Sequence, residues 1–376
     1  MKRKRVPAVI IAIIMIISSV FVAINVFADD VSWRYDSDSK TLYISGSGAM
    51  DDYENVYTTP WYTHLSEVES VVIEDGVTSV GANSFSGAGK LTAVSIANTV
   101  KSVNSYAFAS CALLKDISFS ENVVTIADYS FAYNGVDLKE GFTVHAPVGS
   151  FALHYIIRNN RSSENKIDFV TDKVECGKYA VHITQSGGMM AYYPYTPKYS
   201  GTFNFYSTGT HDTRGYIYNS SYKQIAYNDD SVGTNFGINS ITLEKDETYY
   251  FGARIMNSSL KGTFDIYIEP VEYTVSGTIY AMNDPSGAAS DIVMNEALLD
   301  GVATDGTYTR TVTVSNTDAV ITVGTKEFNY TFSPDKDEDI VLNMCDVNDD
   351  GYVNGRDLAY MKTSNSKYIG LFKNFI

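Results

Sequence analysis

A six-position apolar pattern returns three times at a step of 23 residues. Val68, Val71, Ile73, Val77, Val80 and Phe85 recur as Leu91, Val94, Ile96, Val100, Val103 and Phe108, and again as Leu114, Ile117, Phe119, Val123, Ile126 and Phe131. A period of this length admits one short strand and one turn or short helix per unit, and each unit hides its apolar edge only by stacking on the next. A single unit is not expected to fold alone, because ordering its backbone offsets most of what its own side chains gain by burial. Residues 63–163 are therefore read as a solenoid. Residues 29–62 are read as its β-hairpin cap, in which Trp33 and Tyr35 alternate on one strand, DSDSK turns the chain, and Leu42 and Ile44 alternate on the other.

The wording of the units, VVIEDGVTSVGANSFSG and VSIANTVKSVNSYAFASCALL with TPWY upstream, resembles the BspA-like leucine-rich repeats of bacterial surface proteins. GFTVHAPVGSFALHYIIRNN is similar to that family's closing strand and helix, and Cys111 falls where the family often places a buried cysteine. The resemblance implies an adhesive or recognition surface, not a catalyst. From the residues alone, the concave strand face presents Ser70, Glu74, Ser95 and Ser118, which name no ligand.

After a polar run read as a linker, Asn159 to Lys166, the pattern changes to short strands of period two separated by turns. Residues 164–270 are expected to form a β-sandwich. The run DTRGYIYNSSYKQIAYNDDSVGTNFGI resembles bacterial pre-peptidase C-terminal jelly rolls, accessory modules that bind matrix or polysaccharide. Asp212, Asn228, Asp229 and Asp230 are candidates for a calcium site there, or plain acidic turns. Tyr192, Tyr193, Tyr195 and Tyr199 are either a stacking platform for sugar rings or the cover of a sandwich face with hydroxyls in water. Residues 271–344 alternate again and suit a second, small β-sandwich serving as a spacer, of the immunoglobulin or carboxypeptidase-regulatory sort.

Residues 345–376 carry DVNDDGYVNGRD. Oxygen side chains stand at loop positions 1, 3, 5, 9 and 12 (Asp346, Asn348, Asp350, Asn354, Asp357), Gly351 takes the sharp turn, and Tyr352 offers a carbonyl at position 7. A hard divalent cation wants that donor set, so Ca²⁺ is the expected cofactor. With Leu358 to Met361 behind it, the loop resembles a type I dockerin repeat, by which secreted proteins dock onto the cohesin modules of a cellulosome-type scaffold. By that resemblance Gly355 and Arg356 are the cohesin-reading positions and a scaffold cohesin is the partner. Only one such unit is visible, where the family carries two. The expected fold class is thus mainly β and multi-domain: a leucine-rich-repeat solenoid, two β-sandwich modules and a small α calcium-binding dockerin half.

Residues 1–28 read as a secretory leader, with KRKR before an apolar stretch and Val26, Phe27 and Ala28 before Asp29, or as an uncleaved anchor. The expected location is extracellular. A formal charge of −16, more negative once the basic leader is removed, argues against nucleic acid and anionic membrane as partners. Three cysteines, Cys111, Cys176 and Cys345, lie far apart in different segments, which gives no disulfide framework and no C-x-x-C metal pair, and read as buried small apolar residues or stray thiols. His64, His145, His154, His182 and His211 form no H-E-x-x-H, and no G-x-S-x-G elbow occurs. Once the modules are assigned, no block remains large enough for a catalytic barrel. The favoured function is a secreted non-catalytic binding protein attached through its calcium module. The alternatives are a free adhesin whose docking unit no longer docks, or an accessory glycoside hydrolase.

Overall fold

The 23-residue units stack as their apolar pattern requires, but each contributes two short strands where one strand and a turn were expected. The computed structural model describes residues 31–131, 133–134, 137–138, 140–231, 233–282, 292–294, 307–313, 317–323, 326–335 and 340–343. The segment read as a leader at residues 1–28, Cys345 and the expected loop residues Asp346, Asn348, Asp350, Gly351, Tyr352, Asn354, Gly355, Arg356 and Asp357 lie outside them.

Strand β1 (Val31–Asp36) pairs antiparallel with β2 (Thr41–Gly46), placing Trp33 opposite Ile44. From β2 the sheet continues in parallel through β4 (Ser70–Ile73) and β6 (Ala93–Ile96). A second parallel sheet runs through β3 (Gly48–Ala49), β5 (Val77–Val80), β7 (Ser102–Val103) and β9 (Thr125–Ile126). The second strand exists because VTSV and its equivalents are β-branched and small, which favours extended backbone that can bond to the same segment one unit on. The short helix α1 (Tyr62–Leu65) precedes the first unit. Beyond the second unit, β8 (Asp116–Ser118), β12 (Thr143–His145) and β13 (Asp168–Val170) form a parallel sheet, with β10 (Tyr133–Asn134) and β11 (Asp137–Leu138) as a small hairpin between them.

Two features recur at the same step as the sequence pattern, and a third marks where the repeats begin. Phe85, Phe108 and Phe131 are all buried, and the Phe85 ring stacks between Trp61 at 5.6 Å and Phe108 at 5.2 Å. Asn83, Tyr106 and Tyr129 all take the left-handed conformation, with φ of 58°, 59° and 59°. Asparagine tolerates that region, whereas tyrosine is held there at a cost the surrounding ladder must offset. At Gly76, φ is +101° and an added Cβ would lie 2.2 Å from the Gly46 carbonyl oxygen, so only glycine fits where the cap meets the first unit.

The solenoid ends in helix α2 (Phe151–Ser162), started by Ser150, whose hydroxyl accepts from the Leu153 amide. Leu153, Ile156 and Ile157 are buried in the solenoid core. The polar run expected as a linker is partly this helix. Asn160 is buried, bonds both to the carbonyl and to the amide of Ile167, and donates to the Tyr222 hydroxyl at 3.0 Å. Its side chain thereby takes the place of a backbone ladder and fixes the chain's exit from the helix.

Two antiparallel sheets follow. One is ordered β14 (Gly177–Ile183), β21 (Gly262–Met282), β16 (Gly201–Thr208), β19 (Gly237–Leu243); the other β15 (Ala191–Tyr195), β20 (Tyr249–Ile255), β17 (Thr213–Tyr218), β18 (Gln224–Asn228). They share a core that includes Val181, Phe203, Phe205, Ile217, Phe251 and Ile266. The β21 strand runs unbroken across residue 271 and then pairs with β23 (Thr307–Thr313) and β26 (Ile340–Asn343). The remaining described strands, β22 (Ile292–Met294), β24 (Asp318–Val323) and β25 (Lys326–Thr331), form a sheet of their own.

Candidate binding surface

The open face of the first parallel sheet mixes serines with Tyr43 and Val72. Register places Tyr43 beside Val72 and Val72 beside Ser95, with Ser70 one row away beside Ala93. Ser95 and Ser118 are exposed, whereas Ser70 and Glu74 are half-buried, so the four residues expected on one face do not form one row. The larger side chains gather at the cap.

There the two tryptophans of the chain meet: Trp33 on β1 and Trp61 before α1, ring centroids 6.2 Å apart and nearly perpendicular. Trp61 is buried because it ends the phenylalanine stack, and its Nε1 donates to the Ser84 carbonyl at 2.8 Å. Tyr53 packs edge-on against Trp61 at 5.5 Å. The loop that carries Tyr53 is tied to the repeats: its amide donates to Ala82, and Asn83 donates to its carbonyl at 2.8 Å. Asp52 accepts from the Ala82 amide and from Asn104 in the next unit. His64 on α1 stacks on Tyr35 at 4.7 Å and lies 6.0 Å from Trp33.

These residues enclose a pocket of about 270 Å³ lined by Val31, Ser32, Trp33, Ala49, Met50, Asp51, Tyr53, Pro60 and Trp61. Trp33 is 36% exposed, and on the adjoining segment Tyr62 is 42% and Tyr57 70% exposed. Burial, with the Asp51 carboxylate adding to it, pushes the Tyr53 phenol above its usual range, so it remains a hydrogen-bond donor. The pocket thus offers ring faces and edges, a carboxylate and hydroxyls around a space the size of a sugar ring, with walls fixed by repeat-to-repeat bonds. Another cleft of about 320 Å³ lies between Glu121 and Asn122 of the solenoid and His182 and Thr184 of β14 and its following turn. It has no comparable aromatic wall beyond Phe151 and Tyr193.

The structure decides between the alternatives open for three sets of residues. Tyr192, Tyr193, Tyr195 and Tyr199 are all buried and form no sugar platform. Both faces of β15 are covered, one by the sandwich core and the other by the solenoid core, so alternate tyrosines point into two interiors and neither set reaches water. Asp212, Asn228, Asp229 and Asp230 do not converge as calcium ligands. Asn228 accepts from the Gly237 amide, and Asp229 is held by Arg214 at 3.3 Å and by the Tyr227 hydroxyl at 2.7 Å. Among the described residues no group of three or more His, Cys, Asp or Glu is placed to hold a metal. Cys176 is more than a stray thiol: its Sγ lies 3.3 Å from the Tyr195 hydroxyl, and its amide donates to Asp335 at 2.8 Å. Burial, then the Asp335 carboxylate, push the thiol up to about 12, which leaves it unreactive and structural. Cys111 is buried, with Sγ 3.2 Å from the Phe85 carbonyl.

The sequence model of the BspA type Leucine rich repeat region matches residues 61–144 in 6 copies. That segment is therefore a BspA-type leucine-rich repeat region. Among solved structures, a leucine-rich repeat protein from Eubacterium ventriosum is 22% identical, with 39% of each chain covered and a TM-score of 0.27. A leucine-rich repeat protein from Bacteroides ovatus is 14% identical over 33% of this chain and 49% of that one, TM-score 0.19. Aeromonas hydrophila PliG, a periplasmic inhibitor of g-type lysozyme, is 11% identical over 25% of this chain and 88% of its own, TM-score 0.20. The match to the first spans 39% of that protein's length. No curated protein matches the chain. The chain is mainly β, with a segment at residues 61–144 that matches BspA-type repeats, and among the described residues no helix is long and apolar enough to cross a membrane.

Proposed function

We propose that this is an extracellular, non-catalytic binding protein that recognises carbohydrate at the cap end of its solenoid. The observation that carries the reading is the exposed Trp33 ring, held over a pocket that also contains Asp51 and Tyr53 and backed by the buried Trp61. A pyranose ring has one face of C–H bonds suited to an aromatic wall and a rim of hydroxyls suited to a carboxylate and phenol. The leader read at residues 1–28 supports export. The loop from Asp346 to Asp357 would bind Ca²⁺ and, through Gly355 and Arg356, tether the recognition modules to a cohesin-bearing scaffold. A free adhesin without that tether is the alternative.

The test is adsorption of the secreted chain to insoluble cellulose, xylan, chitin and peptidoglycan. Retention on at least one of them, lost in Trp33→Ala with unchanged thermal stability, supports the reading. No retention on any, or equal retention of the variant, contradicts it.

A further inference from the structure

Helix α2 lies on only part of the outer face of the β15–β20–β17–β18 sheet, joining it through Tyr192, Tyr218 and Tyr250, which share the solenoid core. Past the helix the same face continues as a band of guanidinium groups and phenol rings. Arg161 of α2 sits 4.2 Å above the Tyr218 ring and points Nη1 at the Tyr192 hydroxyl, 3.5 Å away. The Tyr218 ring is nearly parallel to that of Tyr216 at 6.2 Å. Arg254 lies 5.8 Å from the Tyr216 ring, and Arg214 5.8 Å from that of Tyr227, which is 42% exposed.

Two observations mark the band as more than packing. Arg214 and Arg254 stand directly opposite each other on β17 and β20, a like-charge cross-strand pair that is unfavourable unless something anionic compensates it. Asp229 neutralises Arg214, but among the described residues no carboxylate forms an ion pair with Arg254, Arg161 or Arg158. The Nε atoms of both Arg214 and Arg254 are buried without a hydrogen-bond partner. In a chain of net charge −16, Arg158, Arg161 and Arg254 thus stand without an ion-pair partner among the described residues, while Asp229 answers Arg214.

We infer that this band binds an acidic glycan of the uronate class, its carboxylates paired with Arg254 and Arg161 and its sugar rings laid on Tyr216 and Tyr227. The planar guanidinium fork matches a carboxylate in two parallel hydrogen bonds, and the exposed Tyr227 and half-buried Tyr216 rings offer faces for the C–H face of a sugar. A neutral glycan would leave the arginines unpaired. A nucleic acid would meet the repulsion of the rest of the chain at every phosphate beyond the band. The site lies at the opposite end of the repeats from the Trp33 pocket and does not depend on it.

The experiment is calorimetric titration of the full chain with oligogalacturonate, with neutral dextran and dextran sulfate as comparison probes. Oligogalacturonate is expected to bind, weaken with added salt, and lose tenfold or more in affinity in the Arg161→Gln/Arg254→Gln double variant. A Lys90→Gln variant, in a solenoid turn, should bind as the parent does, and Trp33→Ala should leave this affinity unchanged. Thermal melting of each variant separates lost contacts from lost folding, and an Arg161→Lys/Arg254→Lys variant, which keeps charge but not the fork, should recover only part of the loss. Absence of binding, equal binding of dextran, tighter binding of dextran sulfate than of oligogalacturonate, or full affinity in the double glutamine variant overturns the assignment.

Discussion

The rings of Phe85 and Phe108 lie 5.2 Å apart with their planes 16° from parallel, so one unit of the solenoid rests on the next through the same side chain. Cross-unit backbone bonds run alongside, from Phe85 to Ala107 at 2.9 Å and from Phe108 to Ser130 at 2.7 Å. Phe108 closes a stack that Trp61 begins and Phe85 continues, so damage there should reach the unit before it. Phe108→Ala is expected to destabilise the chain by about 3–5 kcal/mol, as for a buried aromatic whose cavity cannot collapse. Urea unfolding checks this, and a loss of under about 1 kcal/mol would mean that the stack is not what holds the units together.

The join between solenoid and sheets should be acid-sensitive. His154 on α2 is largely buried, its Nδ1 accepts from the Met190 amide at 3.2 Å, and its ring stacks near Tyr192 at 6.2 Å. Burial, with Arg158 and Arg161 adding repulsion, lowers its pKa from 6.5 to about 4. Its neutral form is therefore the folded form. Between pH 6.5 and 4 the unfolded chain binds a proton that the folded chain refuses, so stability falls as pH drops through that window. The full contribution, present above pH 6.5, is on the order of 3 kcal/mol. His154→Gln keeps an acceptor for Met190 but cannot titrate. Its urea midpoint should depend less on pH than the parent's across the window, and identical slopes would show that His154 is not the sensor.

Much of the solenoid was legible in advance because a repeat writes the same side chain three times: Phe85, Phe108 and Phe131 could be aligned before any contact was known. The hairpin was equally local, since Trp33, the polar turn and Ile44 lie within a dozen residues. The second strand of each unit was not legible. Its residues are too few to show a period, and they form β-structure only by pairing one unit away. Tyr192 to Tyr199 misled for a related reason: period-two reasoning assumes one wet face, whereas AYYPY is apolar at every position, the sign of a strand covered on both sides. The Trp33 pocket joins β1, the loop at Tyr53 and the segment before α1, and no spacing rule links those three.

If the loop proposed for Ca²⁺ binds the ion, titration of the full chain should show one site, and Asp346→Ala should remove it, because Asp346 stands at the first position of the expected donor set. No heat of binding would remove the tether while leaving the binding surfaces untouched. EDTA should release any cohesin the parent chain captures.

The pocket at the cap can be watched directly, because the 2 tryptophans of the chain, Trp33 and Trp61, both line it. Fluorescence titration with soluble fragments of whichever polysaccharide retains the chain should shift the tryptophan emission to the blue with a saturable curve, as the exposed Trp33 ring is covered. Trp33→Phe, with only the buried Trp61 left to report, should show little shift. Tight binding of the fragment with no change in the parent's emission would place the ligand elsewhere and contradict recognition at this pocket.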